Sequence, residues 1–249
     1  MRLTPLPIDA VLPMVVEGLR AAGAVVLRAP TGAGKTTRVP PVLLDAGLAH
    51  DGAVVVLQPR RLAARACARR MAFERDGRLG DEVGYQVRFD RCLGPHTRIQ
   101  VVTEGILLRM LQHDPFLESV AVVIFDEFHE RSLASDLALA MVRRVRETVL
   151  PGLKLVIMSA TLEPGPIARY LGGCPIVESR GRLHPVGISY MEDRENRTIA
   201  HLAAEGVRQV LDRTDGDILV FLPGVGEIRQ TGRLLEPLAA ARNFAVMPL

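Results

Sequence analysis

Five short runs of β-branched and apolar residues recur before residue 165, each separated from the next by a longer stretch of helical spacing. They read AVVLRA (24–29), AVVVLQ (53–58), RIQVVT (98–103), AVVIFD (121–126) and KLVIMSA (154–160). They do not alternate apolar with polar, so both faces are buried, as in parallel strands covered by helices. The stretches between them include TTRVPPVLLDAGLA, RLAARACARRMAFERDG, EGILLRMLQHD and SLASDLALAMVRRVRETVL. The last carries Leu133, Leu137, Ala140, Met141 and Val145 as a helical stripe. Strand–helix alternation of this kind predicts an α/β fold with a doubly wound parallel sheet.

A sixth run, DILVFLP (217–223), lies apart from the others. Between them, ESRGRLHPVG (178–187) holds two glycines and a proline and reads as a boundary. Beyond it come a strand-like GISYME, a helical stretch over about 197–213, the sixth run, and a helix VGEIRQTGRLLEPLAAARN. One strand and two helices cannot close a doubly wound sheet. The expected division is therefore 1–178 as a complete first domain and 179–249 as a linker and the start of a second. On this reading the chain is a fragment of a longer protein.

Composition excludes several classes. No apolar run approaches the ~18 residues of a membrane span. The N-terminus is interrupted by Pro5, Pro7 and Pro13 and lacks a signal-peptide core. Cys67, Cys92 and Cys174 are far apart without C-x-x-C spacing, which excludes a zinc ribbon and a disulfide framework and fits a reducing, cytoplasmic setting. The net charge of +3 says little about partners. Aromatics are 4% of the chain, too few for base-stacking recognition of single strands, so a nucleic acid would be held by its backbone.

Among 31 Lys and Arg, only Lys35 and Lys154 are lysine. Lys35 sits in APTGAGKTT, between a strand and a helix. The pattern G-x-x-x-x-G-K-[ST] matches at Gly34, Lys35 and Thr36, with Ala29 at the first glycine position. Gly32 and Gly34 can turn backbone N–H groups around a phosphate, and the helix N-terminus adds uncapped donors. Lys35 can reach the β- and γ-phosphates, and Thr36 can hold Mg²⁺. The alternative, a Gly-rich turn that merely caps a helix, leaves the lysine and hydroxyl unexplained.

AVVIFD ends at adjacent carboxylates, Asp126 and Glu127, followed by Phe128 and His129. In a phosphate-loop fold a second strand ends beside the phosphates. Asp126 would orient Mg²⁺, largely through water, and Glu127 would orient and deprotonate the attacking water. Taken alone, His129 near a strand end is more often structural than catalytic. The stretch QPRRLAARACARR places Arg60 and Arg61 at a strand-to-helix turn, where α/β sheets bind ligands. Arg61, Arg65 and Arg69 share one helical face, which could equally be a solvated basic surface.

At GAGKTT, QPRRLAAR, TEGILLRML, DEFHERS and MSATL, the order and spacing resemble superfamily 2 helicases of the DEAH-box group. The LPID start, the DEFH variant and GYQVRFD (84–90) are most similar to the bacterial HrpB-type ATP-dependent helicases. The resemblance implies a RecA-like P-loop NTPase domain followed by part of a second. It implies triphosphate and Mg²⁺ binding by Gly32 to Thr37, including Ala33 and Thr37. Asp126 and Glu127 would be the metal-orienting acid and the base, and His129 would link nucleotide state to the neighbouring domain. Ser159, Ala160 and Thr161 would couple hydrolysis to strand movement, against a plain N-cap reading of the same residues. Arg60, Arg61, Thr103, Glu104 and Gly105 would touch the nucleic-acid backbone. Arg70 would lie on the adenine face.

The resemblance further implies an ATP-driven translocase on single-stranded RNA, with DNA open as a substrate and no membrane. A nucleotide-gated scaffold with little turnover is the competing class, though intact Lys35, Thr36, Asp126 and Glu127 argue against it. A metabolic P-loop kinase would not account for SAT or the QPRR turn. The group also needs an arginine finger from a Q-x-x-G-R-x-G-R segment. RQTGRLLEP (229–237) imitates only its first half, so Arg233 is expected on a helix surface and residues 1–249 alone are expected to hydrolyse ATP poorly.

Overall fold

The computed structural model describes residues 4–181, 185–191 and 197–248. The chain divides into two compact units, Met1–Leu183 and His184–Leu249.

The first unit is built on one eight-stranded sheet. Its strands are β1 (Ala24–Arg28), β2 (Ala53–Gln58), β3 (Val83–Val87), β4 (Asp90–Cys92), β5 (Ile99–Thr103), β6 (Val120–Phe125), β7 (Lys154–Ser159) and β8 (Ile176–Glu178). The spatial order is β4-β3-β5-β2-β6-β7-β1-β8. Every pairing is parallel except β4, which returns antiparallel along β3 at one edge. The five runs read from the sequence are the five central strands. Helix α1 (Leu12–Ala22), the short β3, β4 and β8, and helix α6 (Pro164–Tyr170) are additions seen only in the structure.

Alternate residues of each central strand feed two separate cores. Val25 and Leu27, Val54 and Val56, Val122 and Ile124, and Val156 and Met158 pack with α1, α2 (Lys35–Asp45) and α3 (Arg61–Glu74). Ala24 and Val26, Val55 and Leu57, Val123 and Phe125, and Leu155 and Ile157 pack with α4 (Glu104–His113), α5 (Leu133–Thr148) and α6. This two-sided burial is why the strands read as unbroken apolar runs. The stripe read for α5 is corrected. The buried face is Ser135, Ala138, Leu139, Val142 and Val145, whereas Leu133 and Leu137 are exposed. Both stripes obey helical spacing, and only the position of the sheet selects between them.

Parallel pairing aligns the strand ends. Gln58 pairs with Thr103, Leu57 and Ile157 with Phe125, and Arg28 with Ser159. The segments after β1, β2, β5, β6 and β7 therefore leave the sheet at one carboxyl edge.

The second unit holds α7 (Ile199–Leu211) and α8 (Val225–Arg242), packed through Ala204, Val207 and Leu235. Arg233 is on the exposed face of α8, as expected. Residues 217–223, expected as a strand, carry no strand pairing, and neither do residues 187–191 of GISYME; residue 192 lies outside the described residues. A strand exists through hydrogen bonds to a neighbour, and the described residues of this unit contain no strand to pair with.

Candidate functional site

The phosphate loop joins β1 to α2. Gly34, at φ +94°, is the N-cap of α2 and supplies no side-chain cap, so no side chain blocks the first N–H groups of the helix. The loop is held from below by the N-terminal segment: Ile8 N–H donates to the Ala33 carbonyl at 3.1 Å, and Arg38 donates to the Thr4 carbonyl at 2.9 Å. Lys35 is 3% exposed, and its ammonium donates to the carbonyls of Ala29 (2.7 Å) and Pro30 (3.2 Å). Pro40, one turn into α2, has no N–H for the Thr36 carbonyl; the buried Cys67 thiol donates to that oxygen at 3.8 Å. Burial pushes the Cys67 thiol up, with Asp126 and Glu74 adding to it, which keeps it a donor.

Asp126 sits at the tip of β6, 4% exposed. Its Oδ2 accepts from the Thr36 hydroxyl and from Gln58 Nε2, and its Oδ1 accepts from the Glu127 N–H at 2.9 Å. Desolvation pushes this carboxyl up to about 6; the Thr36 hydrogen bond opposes the rise, the Glu127 charge adds to it, and Lys35 opposes it more weakly. Gln58 was not singled out from the sequence. Its signal was a polar residue closing an otherwise apolar strand.

Glu127 adopts a left-handed conformation, φ 50° and ψ 36°, and opens a 3-10 turn over Phe128–Glu130 that Arg131 closes at φ 42°. Phe128 anchors the turn, buried and edge-on to Phe125 with ring centres 5.9 Å apart. Glu127 Oε2 lies 3.3 Å from His129 Nδ1, yet both atoms are buried without a hydrogen-bond partner. Thr36, Gln58, Glu127 and His129 face a cavity of about 330 Å³, whose wall is completed by Thr31, Pro59, Arg60, Ala63, Cys67 and Glu130.

The remaining sequence-predicted residues fall around this edge. Arg60 and Arg61 are exposed at the β2–α3 turn, and Thr103, Glu104 and Gly105 form the adjacent β5–α4 turn. Arg60 is bound to Glu130, Nη2 to Oε1 at 3.0 Å. Glu104 Oε1 accepts from the Ser132 hydroxyl at 2.8 Å, and Ser132 also caps α5 by accepting from Ser135 N–H at 2.9 Å. Of the arginine face on α3, Arg65 is paired with Asp90 at 2.7 Å. Arg70 is bound to Glu74 at 2.7 Å and lies over Phe73. The Ser159 carbonyl accepts from Ala29 N–H at 3.0 Å, and its hydroxyl accepts from Leu162 N–H at 3.0 Å; Ala160 and Thr161 follow in a bend. Ser159 is thus a turn residue rather than the N-cap of α6, which is Glu163.

Among the described residues no cluster of three or more His, Cys, Asp or Glu forms a metal cage. Thr36, Asp126 and the phosphate loop instead fit an ion that draws few protein ligands. No helix among the described residues is long and apolar enough to cross a membrane.

Comparison with known proteins gives a consistent result. The family described as "DEAD/DEAH box helicase" matches residues 10–169. The chain is 45% identical over 241 residues to the ATP-dependent RNA helicase HrpB of Escherichia coli, covering 96% of this chain and 29% of that protein. It is 36% identical over 248 residues to the probable ATP-dependent RNA helicase DHX40 of Homo sapiens, covering 96% of this chain and 32% of that protein. The crystal structure of E. coli DEAH/RHA helicase HrpB superposes with a TM-score of 0.87 at 45% identity, over 94% of this chain and 30% of the other. The chain therefore spans a third or less of the length of the curated relatives it matches.

Proposed function

Because the chain belongs to the DEAD/DEAH box helicase family, we propose that it supplies the nucleotide-binding core of an ATP-dependent RNA helicase that moves on single-stranded RNA. Residues 1–178 are the first RecA-like domain, and 179–249 are the linker and start of a second. The observation that carries the reading is the cluster at the carboxyl edge of the sheet. There Thr36, in the first turn of α2, and Asp126, at the end of β6, are in hydrogen-bond contact, and Glu127 presents a buried, unpartnered oxygen beside them.

The roles follow from these contacts. The N–H groups of Gly32 to Thr37 and the ammonium of Lys35 bind the β- and γ-phosphates, Lys35 exchanging the carbonyls of Ala29 and Pro30 for phosphate oxygens. Thr36 and Asp126 would hold Mg²⁺, which neutralises charge on the phosphates when bound. The raised pKa of Asp126 is the cost of holding that carboxylate dry before a cation arrives. Glu127 orients the attacking water and takes its proton at Oε2, within reach of His129. Arg70, on the exposed face of α3, covers the base. Ser159 to Thr161 report on the phosphate loop through the Ser159–Ala29 bond, which supports their coupling role. Arg60, Arg61 and the Thr103–Gly105 turn hold the nucleic-acid backbone. The absence of any membrane-length helix among the described residues is compatible with work in the cytoplasm.

ATP hydrolysis by the full-length protein, with and without single-stranded RNA or DNA, tests this. RNA-stimulated turnover that Glu127→Gln abolishes is the expected result. Equal stimulation by DNA removes the RNA assignment, and nucleotide binding without stimulation by either refutes the motor.

A further inference from the structure

The turn that carries Glu127 is tied to both backbone-binding turns. On one side, Arg60 grips Glu130 through two contacts, Nη2 to Oε1 at 3.0 Å and Nε to Oε2 at 3.4 Å. On the other, Glu104 holds the Ser132 hydroxyl at 2.8 Å. Glu104 is otherwise an odd choice beside a polyanion. As the anchor for Ser132 it has a structural task that no phosphate need share.

The two ties differ in strength. The Glu104–Ser132 contact is half-buried and shared with a helix cap. The Arg60 side chain is 73% exposed and that of Glu130 35%. An exposed ion pair is weak enough for a phosphate to replace its carboxylate. Glu130 also donates its N–H to the Glu127 carbonyl at 2.9 Å, so the acid that would lose Arg60 is hydrogen-bonded to the proposed base. The turn between them is bracketed by two non-glycine residues at positive φ, Glu127 and Arg131, a conformation that persists only while its surroundings hold it. In this arrangement Glu127 Oε2 faces His129 Nδ1 at 3.3 Å without hydrogen-bond geometry.

We propose that Glu130 is a positioning residue through which nucleic-acid contact sets the base: a backbone phosphate takes Arg60 from Glu130, and the released turn brings Glu127 to its working position. The inference rests on the motor reading above. Glu130 restrains the turn while no strand is bound and competes with phosphate for Arg60.

The test is steady-state ATP hydrolysis by the full-length protein over a titration of polyuridylate, for wild type, Glu130→Gln, Arg60→Gln and the double variant. Glu130→Gln is expected to lower the half-saturating polyuridylate concentration about two- to five-fold, the range of an exposed ion pair. It is also expected to raise the rate without RNA, leaving the saturated rate and the KM for ATP in place. Arg60→Gln weakens RNA binding, and in that background Glu130→Gln changes the RNA affinity no further. A merely structural role for Glu130 would lower the saturated rate and the melting temperature with no gain in RNA affinity, and that result overturns the proposal. So does a stimulated wild type with a Glu130→Gln titration superimposable on it. A wild type that polyuridylate fails to stimulate refutes the motor reading itself, and this proposal with it.

Discussion

Replacing Gly34 by alanine isolates what the N-terminal segment does for the phosphate loop. Gly34 holds φ +94°, and a Cβ there would lie 2.5 Å from Leu6 Cδ1, 3.2 Å from Leu6 Cβ and 3.3 Å from Ile8 Cγ2. The backbone conformation alone costs an L-residue about 1–2 kcal/mol. Forcing a methyl into the contact adds about 1–3 kcal/mol, because Ile8 is fully buried and hydrogen-bonded to Ala33. The sum is a loss of about 2–5 kcal/mol. Gly32 is the internal control. It has φ +77°, but a Cβ there meets nothing within 4 Å, so Gly32→Ala should cost only the backbone share. Urea unfolding followed by circular dichroism, with labelled-ATP binding in parallel, reads both. Leu6→Ala in the Gly34→Ala background removes the 2.5 Å contact and should recover part of the contact share, leaving the strain and the contacts with the Cβ of residue 6 and with Ile8 Cγ2. Equal losses for Gly34→Ala and Gly32→Ala, or no recovery with Leu6→Ala, would refute the claim that Leu6 and Ile8 brace the loop.

Three further outcomes are expected. Gln58→Leu strips a donor from the buried Asp126 carboxylate and should cost about 1.5–3 kcal/mol in urea unfolding at pH 8, the worth of a hydrogen bond to a charged group. In the metal-free protein the folded state holds the Asp126 proton up to about pH 6, against 3.8 unfolded. Stability is therefore greatest below the lower value and falls as pH rises towards the upper one, by about 3 kcal/mol; Asp126→Asn should remove this component, and an unchanged pH profile would count against it. On α5, Val142→Ala should cost about 2–3 kcal/mol by thermal unfolding, whereas exposed Leu137→Lys should change stability by less than about 0.5 kcal/mol.

Local chemistry made much of the protein legible. Strands buried on both faces need unbroken β-branched runs, so the five central strands could be read directly. A phosphate-binding turn needs glycines, a lysine and a hydroxyl at fixed spacing, so Lys35 and Thr36 could be named. Two adjacent acids at a strand end are ordinarily a solvated terminus, so Asp126 and Glu127 could be named only because a phosphate loop precedes them in the chain. The edge strands β4 and β8 were not legible, since three residues carry too little pattern and β4 exists only as the hairpin partner of β3, and in β3 Gly84 and Gln86 interrupt the apolar run.

What required the tertiary structure is whatever depends on which strand lies beside which. Residue order and spacing were enough to establish an α/β chain with a phosphate loop, a pair of carboxylates and a basic turn. It could not say that β1 lies against β7, some 130 residues away, so that Ala29 bonds to Ser159. Nor could it say that Gln58 closes on Asp126, that Arg60 is held by Glu130, or that Glu104 reaches Ser132. The same holds for the face of α5 that is buried and for residues 217–223, whose strand-like composition meets no partner strand among the described residues. Composition and spacing record what each segment can do alone. Parallel pairing and burial, which act between segments distant in the chain, decide which of those capacities meet.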